Sequence, residues 1–208
     1  MPSNEHPDDL HSRLKAVTEL PFLQHQMGKK LDLTLIALGH KKATKLILSK
    51  NDPDLERKKT ALIDIGFECD WSRNEAVNPE NVELCVADSV DTLVRIQGAS
   101  NEDEQDWGEF AGYPQTAIEA YMSGDESRVL PREELPAEVL QQDWCELLHF
   151  GLSREHWREE IQTLQKWHES LQEYAPEFLR AYVTNSRERG VWYKQELERQ
   201  KREAEQAS

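Results

Sequence analysis

Along the first hundred residues the spacing of apolar positions changes several times, and each change predicts an element. From Asp8 to Leu20, the residues Leu10, Leu14, Val17 and Leu20 fall on one helical stripe, and Pro21 ends it. The run Leu31 to Leu38 alternates and then becomes wholly apolar, which predicts a strand passing into a core until Gly39-His40 breaks it. Thr44 to Leu48 reads as a second strand. Asp52-Pro53 then supplies a cap and a first helical proline, and Gly66 ends that helix. Phe67, Cys69 and Trp71 alternate with acids, and Val82, Leu84 and Val86 repeat the strand period. Asp88 or Ser89 caps a helix with Val90, Leu93 and Val94 on one face, ending at Gly98.

From Asn101 onward the strand period disappears and helical spacing takes over. Residues 137 to 149 read as a helix, and Ser153 caps a longer one with Trp157, Ile161, Leu164 and Leu171 in a stripe. Pro176 opens a last helix holding Leu179, Tyr182 and Val183. Gly190 weakens it, Trp192, Tyr193 and Leu197 offer it a partner surface, and Glu198 to Ser208 is expected to fray. The fold class expected is α+β. A mixed α/β region with an N-terminal amphipathic helix spans 1–100, and a helical region with a projecting C-terminal helix spans 101–208.

Charge narrows the partners. The 208 residues carry 40 acids against 25 bases, a net −15, and the imbalance lies in the middle: 51–146 hold 24 acids and 7 bases, whereas 1–50 hold 5 acids and 8 bases. Such a surface argues against double-stranded nucleic acid, whose binding depends on cations displacing counterions. The local basic groups, Lys41, Lys42 and Lys45, then Lys58 and Lys59, then Arg187 to Arg202, read as solvated faces. The three cysteines, Cys69, Cys85 and Cys145, lack paired spacing and read as reduced, buried thiols. No apolar run approaches membrane-spanning length, and a cytoplasmic location without membrane contact is expected.

Two clusters carry candidate chemistry. In Gly112-Tyr113-Pro114, glycine permits backbone angles closed to other residues and proline pushes Tyr113 toward extension, so a rigid tyrosine corner is expected. Its phenol either donates to a ligand or caps the core. The helix beginning at Gln115 and Thr116 presents free N–H groups that favour a small anion, with His149 and Ser153 as further contacts. The second cluster joins Cys145, His149 and His156, ligand types that suit a divalent metal such as zinc, with Asp143 or Glu155 as an acid. An ordinary helix corner explains the same residues without metal.

Both clusters resemble the marks of an uncharacterised prokaryotic family, Gly-Tyr-Pro-Xaa-Cys-Cys and His-Xaa-Pro-Cys-Ser-Xaa-Xaa-Cys. Here they become Gly112-Tyr113-Pro114-Gln115-Thr116-Ala117 and His149-Phe150-Gly151-Leu152-Ser153-Arg154-Glu155-His156. The family's four cysteines are replaced by Thr116, Ala117, Leu152 and His156, which implies that any metal or redox role they serve is lost or reduced in this chain. The resemblance covers residues 107–180 and brings no activity with it. Phosphate loops, nucleophile elbows and paired-histidine zinc motifs are absent from the sequence. Two readings remain: a noncatalytic binding or interaction protein, with a protein partner or second copy on the C-terminal helix, and a metal-assisted enzyme or sensor near Tyr113, His149 and His156.

Overall fold

The computed structural model describes residues 7–73, 78–98 and 104–206. The fold is α+β, with a small antiparallel sheet in the N-terminal half and helices through the C-terminal half. Helix α1 (Pro7–Thr18) buries Leu14 and Val17, as its stripe predicts. The run read as a first strand is instead helix α2 (Met27–Ala37). Its two apolar rows face different cores: Leu33 and Ile36 meet the sheet side, whereas Leu31 and Leu35 pack with Leu164, Trp167 and Tyr182 of the helical half. A helix buried on both sides is apolar nearly all round, so its period looks like that of a buried strand.

Strand β1 (Ala43–Ser49), helix α3 (Leu55–Asp64) and strands β2 (Glu68–Trp71) and β3 (Asn81–Ala87) follow. Helix α3 starts two residues after the expected Pro53, because the Asp52 carboxylate accepts from the Asp54 N–H at 2.9 Å and closes a turn first. The sheet order is β1-β3-β2, with both pairings antiparallel and Lys45 opposite Cys85. Thr44, Leu46, Leu84 and Val86 face α1, α2 and α3. Ala43, Cys85 and Ala87 face α4 (Val90–Gly98) and α5 (Glu104–Phe110). On α4 the buried residues are Thr92, Leu93, Ile96 and Gln97, while Val90 and Val94 are exposed, contrary to the face expected. Gln97 turns that face inward by donating to Asp70 and to the Trp71 carbonyl, at 3.0 and 3.1 Å.

Helix α6 (Gln115–Met122) leads to a two-residue strand β4 (Val129–Leu130), a one-turn helix α7 (Ala137–Leu140) and strand β5 (Leu152–Ser153), which pairs with β4. This short ladder has no counterpart in the sequence pattern. The helix expected over 137–149 is broken: Gln142 is extended, and a 3-10 turn covers Asp143–Leu147. Leu140 and Cys145 enter the same small core with Leu130, Leu135 and Leu152. On a straight helix they would stand about 140° apart, so the break is what brings them together.

Helix α8 (Trp157–Tyr174) begins later than expected, after His156, and Ser153 contributes by accepting from the His156 N–H at 2.9 Å. Helix α9 (Pro176–Gln206) buries Leu179, Tyr182 and Val183 and runs on without a break at Gly190. The expected fraying from Glu198 is not seen through Gln206; opposite charges four apart, such as Glu198 and Arg202, favour helix there. The side chains of Tyr193 and Leu197 lie outside the described residues. Among those residues, no helix is long and apolar enough to cross a membrane.

Candidate functional site: a two-chambered cleft at Tyr113

Gly112 fixes the corner. Its φ is +69°, and a Cβ there would stand 2.2 Å from the His40 carbonyl oxygen, so both conformation and space require glycine. Pro114 is the N-cap of α6, and the Tyr113 N–H bonds back to the Gly108 carbonyl at 3.0 Å. Gly108 in turn lets α5 approach α6, because a Cβ there would meet Ile118 at 2.6 Å. The tyrosine is thus held from both sides, as the sequence predicts. Its hydroxyl donates to the His149 carbonyl at 3.3 Å, and its ring lies 4.7 Å from that of Phe150. The corner and the 149–151 segment therefore meet, but the phenol is occupied by protein, and the ring is the surface a ligand would touch.

On one side of that ring lies a chamber of about 420 Å³, lined mainly by Trp107, Tyr113, Ile118, Tyr121, His149 and Phe150. On the other side a second chamber, of about 370 Å³, is walled by Lys29, Asp32, Lys41, Thr44, Lys45 and Glu83. Trp107, Ala111 and Tyr113 belong to both, so the two chambers adjoin across a shared wall beside the edge strand β1. Lys41 and Lys45 are buried rather than solvated, which corrects the surface reading of that basic group; only Lys42 is exposed.

Charges in the second chamber come as two pairs. Lys41 Nζ lies 2.6 Å from Asp32 Oδ1 and above the rings of Trp167 and Tyr113, at 5.2 and 5.6 Å. The Thr44 hydroxyl donates to Asp32 Oδ2 at 3.1 Å, and Lys29 adds a looser contact at 3.6 Å. Burial works against the Asp32 carboxylate, yet Lys41 and Lys29 outweigh it and hold its pKa below the usual value. Lys45 Nζ lies 3.0 Å from Glu83 Oε2 and 4.5 Å from the Trp107 ring centre.

His149 is an exposed residue of the aromatic chamber's lining, and its Nε2 shares a 2.5 Å hydrogen bond with the Tyr182 hydroxyl. Crowding by the cleft wall, helped by Lys41, pushes its pKa down, so the imidazole stays neutral. Burial raises the Tyr113 phenol to about 12 and moves Tyr182 in the same direction. Neither phenol ionises near neutrality.

The other candidates go elsewhere. Gln115 is exposed and its amide donates to Glu119 at 3.1 Å. Thr116, Ser153 and His156 line a separate polar cavity of about 220 Å³. Beneath it the buried Glu160 carboxylate accepts from the Thr116 hydroxyl at 2.6 Å and from the Ser153 N–H at 2.7 Å. The two segments that carry the family resemblance therefore lie side by side, tied by one carboxylate. Cys145 is enclosed among leucines, and burial raises its thiol pKa. His156 is half-exposed beside Glu155 and Glu159. Cys145, His149 and His156 thus form no ligand set, and among the described residues no three His, Cys, Asp or Glu side chains are placed to hold a metal ion.

Sequence reasoning missed Asp32, Glu83, Trp107, Tyr182 and Glu160. Tyr113 and His149 had marked this region, whereas Lys41 and Lys45 were read as a solvated face. Comparison with protein-family models, curated proteins and solved structures finds no match for the chain. The family resemblance thus rests on the two motifs alone.

Proposed function

We propose that the protein is a noncatalytic binding protein that takes a small organic acid with an apolar body into the cleft at Tyr113. One observation carries the reading: in a chain of net charge −15, three lysines are gathered into a single chamber that shares a wall with an aromatic one. Among the described residues two carboxylates, Asp32 and Glu83, share that chamber with the three lysines. Anionic groups are repelled by the acidic middle of the chain and accepted in that chamber, while Trp107, Tyr113 and Phe150 offer flat apolar surface for the rest of the ligand.

Binding without chemistry is favoured by the state of the reactive groups. The thiols of Cys69, Cys85 and Cys145 are all buried and pushed up, the first two to about 12 and about 11, so no activated thiolate faces the cleft. His149 is engaged by Tyr182.

Calorimetric titration with 3-phenylpropanoate and with its 2-amino counterpart, L-phenylalanine, tests the reading. At least one is expected to bind with a dissociation constant below about 1 mM, an ordinary range for small ligands. Trp107→Ala and Lys29→Gln should each weaken it fivefold or more. No binding of either compound, or binding indifferent to both substitutions, would overturn the proposal.

A further inference from the structure

The charged chamber holds a feature that a simple carboxylate does not satisfy. Glu83 is 8% exposed, and its Oε2 has no hydrogen-bond partner among the described residues, although Lys45 Nζ stands 3.0 Å away. The ammonium sits close enough to compensate the charge and lacks the alignment of a hydrogen bond. A buried carboxylate oxygen left this way is costly and ready to accept from a well-placed donor. Asp32 differs: Lys41 and Thr44 both bond to it, and Lys29 stands near.

Resting on the organic-acid reading above, we infer that the ligand is zwitterionic, an α-amino acid with a large apolar side chain. Its ammonium donates to Glu83 Oε2. Its carboxylate faces Lys29, whose side chain is the most solvent-accessible of the three lysines and whose contacts to Asp32 and Thr44 are long, at 3.6 and 3.4 Å. Its side chain crosses the Trp107 and Tyr113 wall into the aromatic chamber, whose volume of about 420 Å³ accommodates a phenyl or indole ring. A chamber that holds both cations, Lys29, Lys41 and Lys45, and anions, Asp32 and Glu83, complements a zwitterion better than a plain anion.

The test compares ligands differing only in the ammonium. L-phenylalanine is expected to bind at least tenfold more tightly than 3-phenylpropanoate, and N-acetyl-L-phenylalanine, which keeps ring and carboxylate, should bind no better than the plain acid. Glu83→Gln should close the gap by weakening L-phenylalanine and leaving the acid within twofold. If that variant does not fold by circular dichroism, the three-ligand comparison on the unaltered protein decides alone. Equal binding of L-phenylalanine and 3-phenylpropanoate, or a gap that survives Glu83→Gln, overturns the zwitterion inference and leaves the organic-acid reading standing. Failure of all three ligands overturns both.

Discussion

At the residue scale, two glycines in helical or near-helical surroundings have opposite meanings. Gly112 combines a φ of +69° with a backbone oxygen where a side chain would go, whereas Gly190 lies in α9 with open space around it. Gly112→Ala should therefore destabilise the protein by at least about 2 kcal/mol, since left-handed strain and backbone displacement add. Gly190→Ala should stabilise it by about 0.5–1 kcal/mol through helix propensity. Urea midpoints of the two variants check both signs at once. His149 makes a second prediction. Its pKa in the folded protein lies below the ordinary 6.5, because of burial first and Lys41 second. Above that pH both folded and unfolded states are neutral and the residue contributes nothing to pH dependence. As pH falls below 6.5 the unfolded chain takes up the proton first, so stability declines, at most by about 1.4 kcal/mol per pH unit for one group. His40, lowered by burial and by Lys166, acts in the same direction. Thermal midpoints should fall between pH 7 and pH 5, and His149→Gln should reduce that slope without removing it.

At the element scale, a single carboxylate joins three pieces of chain. Glu160, on α8, accepts from Thr116 on α6 and from the Ser153 N–H on β5. Glu160→Ala leaves that buried N–H without a partner and should cost about 2–4 kcal/mol, more than the roughly 1 kcal/mol expected for Thr116→Val, where one hydrogen bond is lost and the carboxylate keeps the other. A double-mutant cycle on chemical denaturation should show the two to be coupled. Elements whose two faces differ in polarity were legible from sequence. The helix α1 and the stripes of α8 and α9 reflect a single boundary between core and water, and the strands β1 to β3 were legible from their period of two although β1 and β3 meet a core on each face. The helix α2 was not, because it has a core on either side and its polar residues Asp32 and Thr34 alternate with leucines from Leu31 on in the way a strand would. The cleft was half legible. Gly112-Tyr113-Pro114 announced a corner through local chain stiffness, and its meeting with His149 followed. Asp32 and Glu83 did not stand out, and Lys41 and Lys45 read as a solvated face, since the significance of all four lies in burial and in pairing across 9 to 38 positions, Asp32 with Lys41 and Lys45 with Glu83. In so acidic a chain a carboxylate draws no notice until its surroundings are known.

For the whole molecule, the decisive asymmetry is between an acidic body and a nearly balanced C-terminal part. Residues 51–146 carry 17 more acids than bases, whereas 147–208 carry only one more, with 11 acids and 10 bases. Two copies approaching through their bodies repel each other, and two approaching through the ends of α9 do so far less. Val191 and Trp192 are 56% and 63% exposed there, and both come after the buried Phe178, Leu179, Tyr182 and Val183 that hold α9 to α8. Ser186 to Glu146 and Arg187 to Asp143, each at 2.7 Å, anchor α9 to the body before Gly190. Ending the chain after Gly190 therefore removes exposed apolar surface and leaves the core contacts intact. Its unfolding free energy should stay within about 0.5 kcal/mol of the full chain, as for changes away from packed positions. Sedimentation should separate the two proteins: the full chain gains mass with concentration, and the shortened one does not. Because screening weakens repulsion between the acidic bodies more than it weakens apolar contact, association of the full chain should strengthen as salt rises from about 10 mM to 150 mM, over which the Debye length falls from about 30 to about 8 Å. An α9 end that served only as an extension of the body would give a monomer at every salt concentration, with or without Trp192.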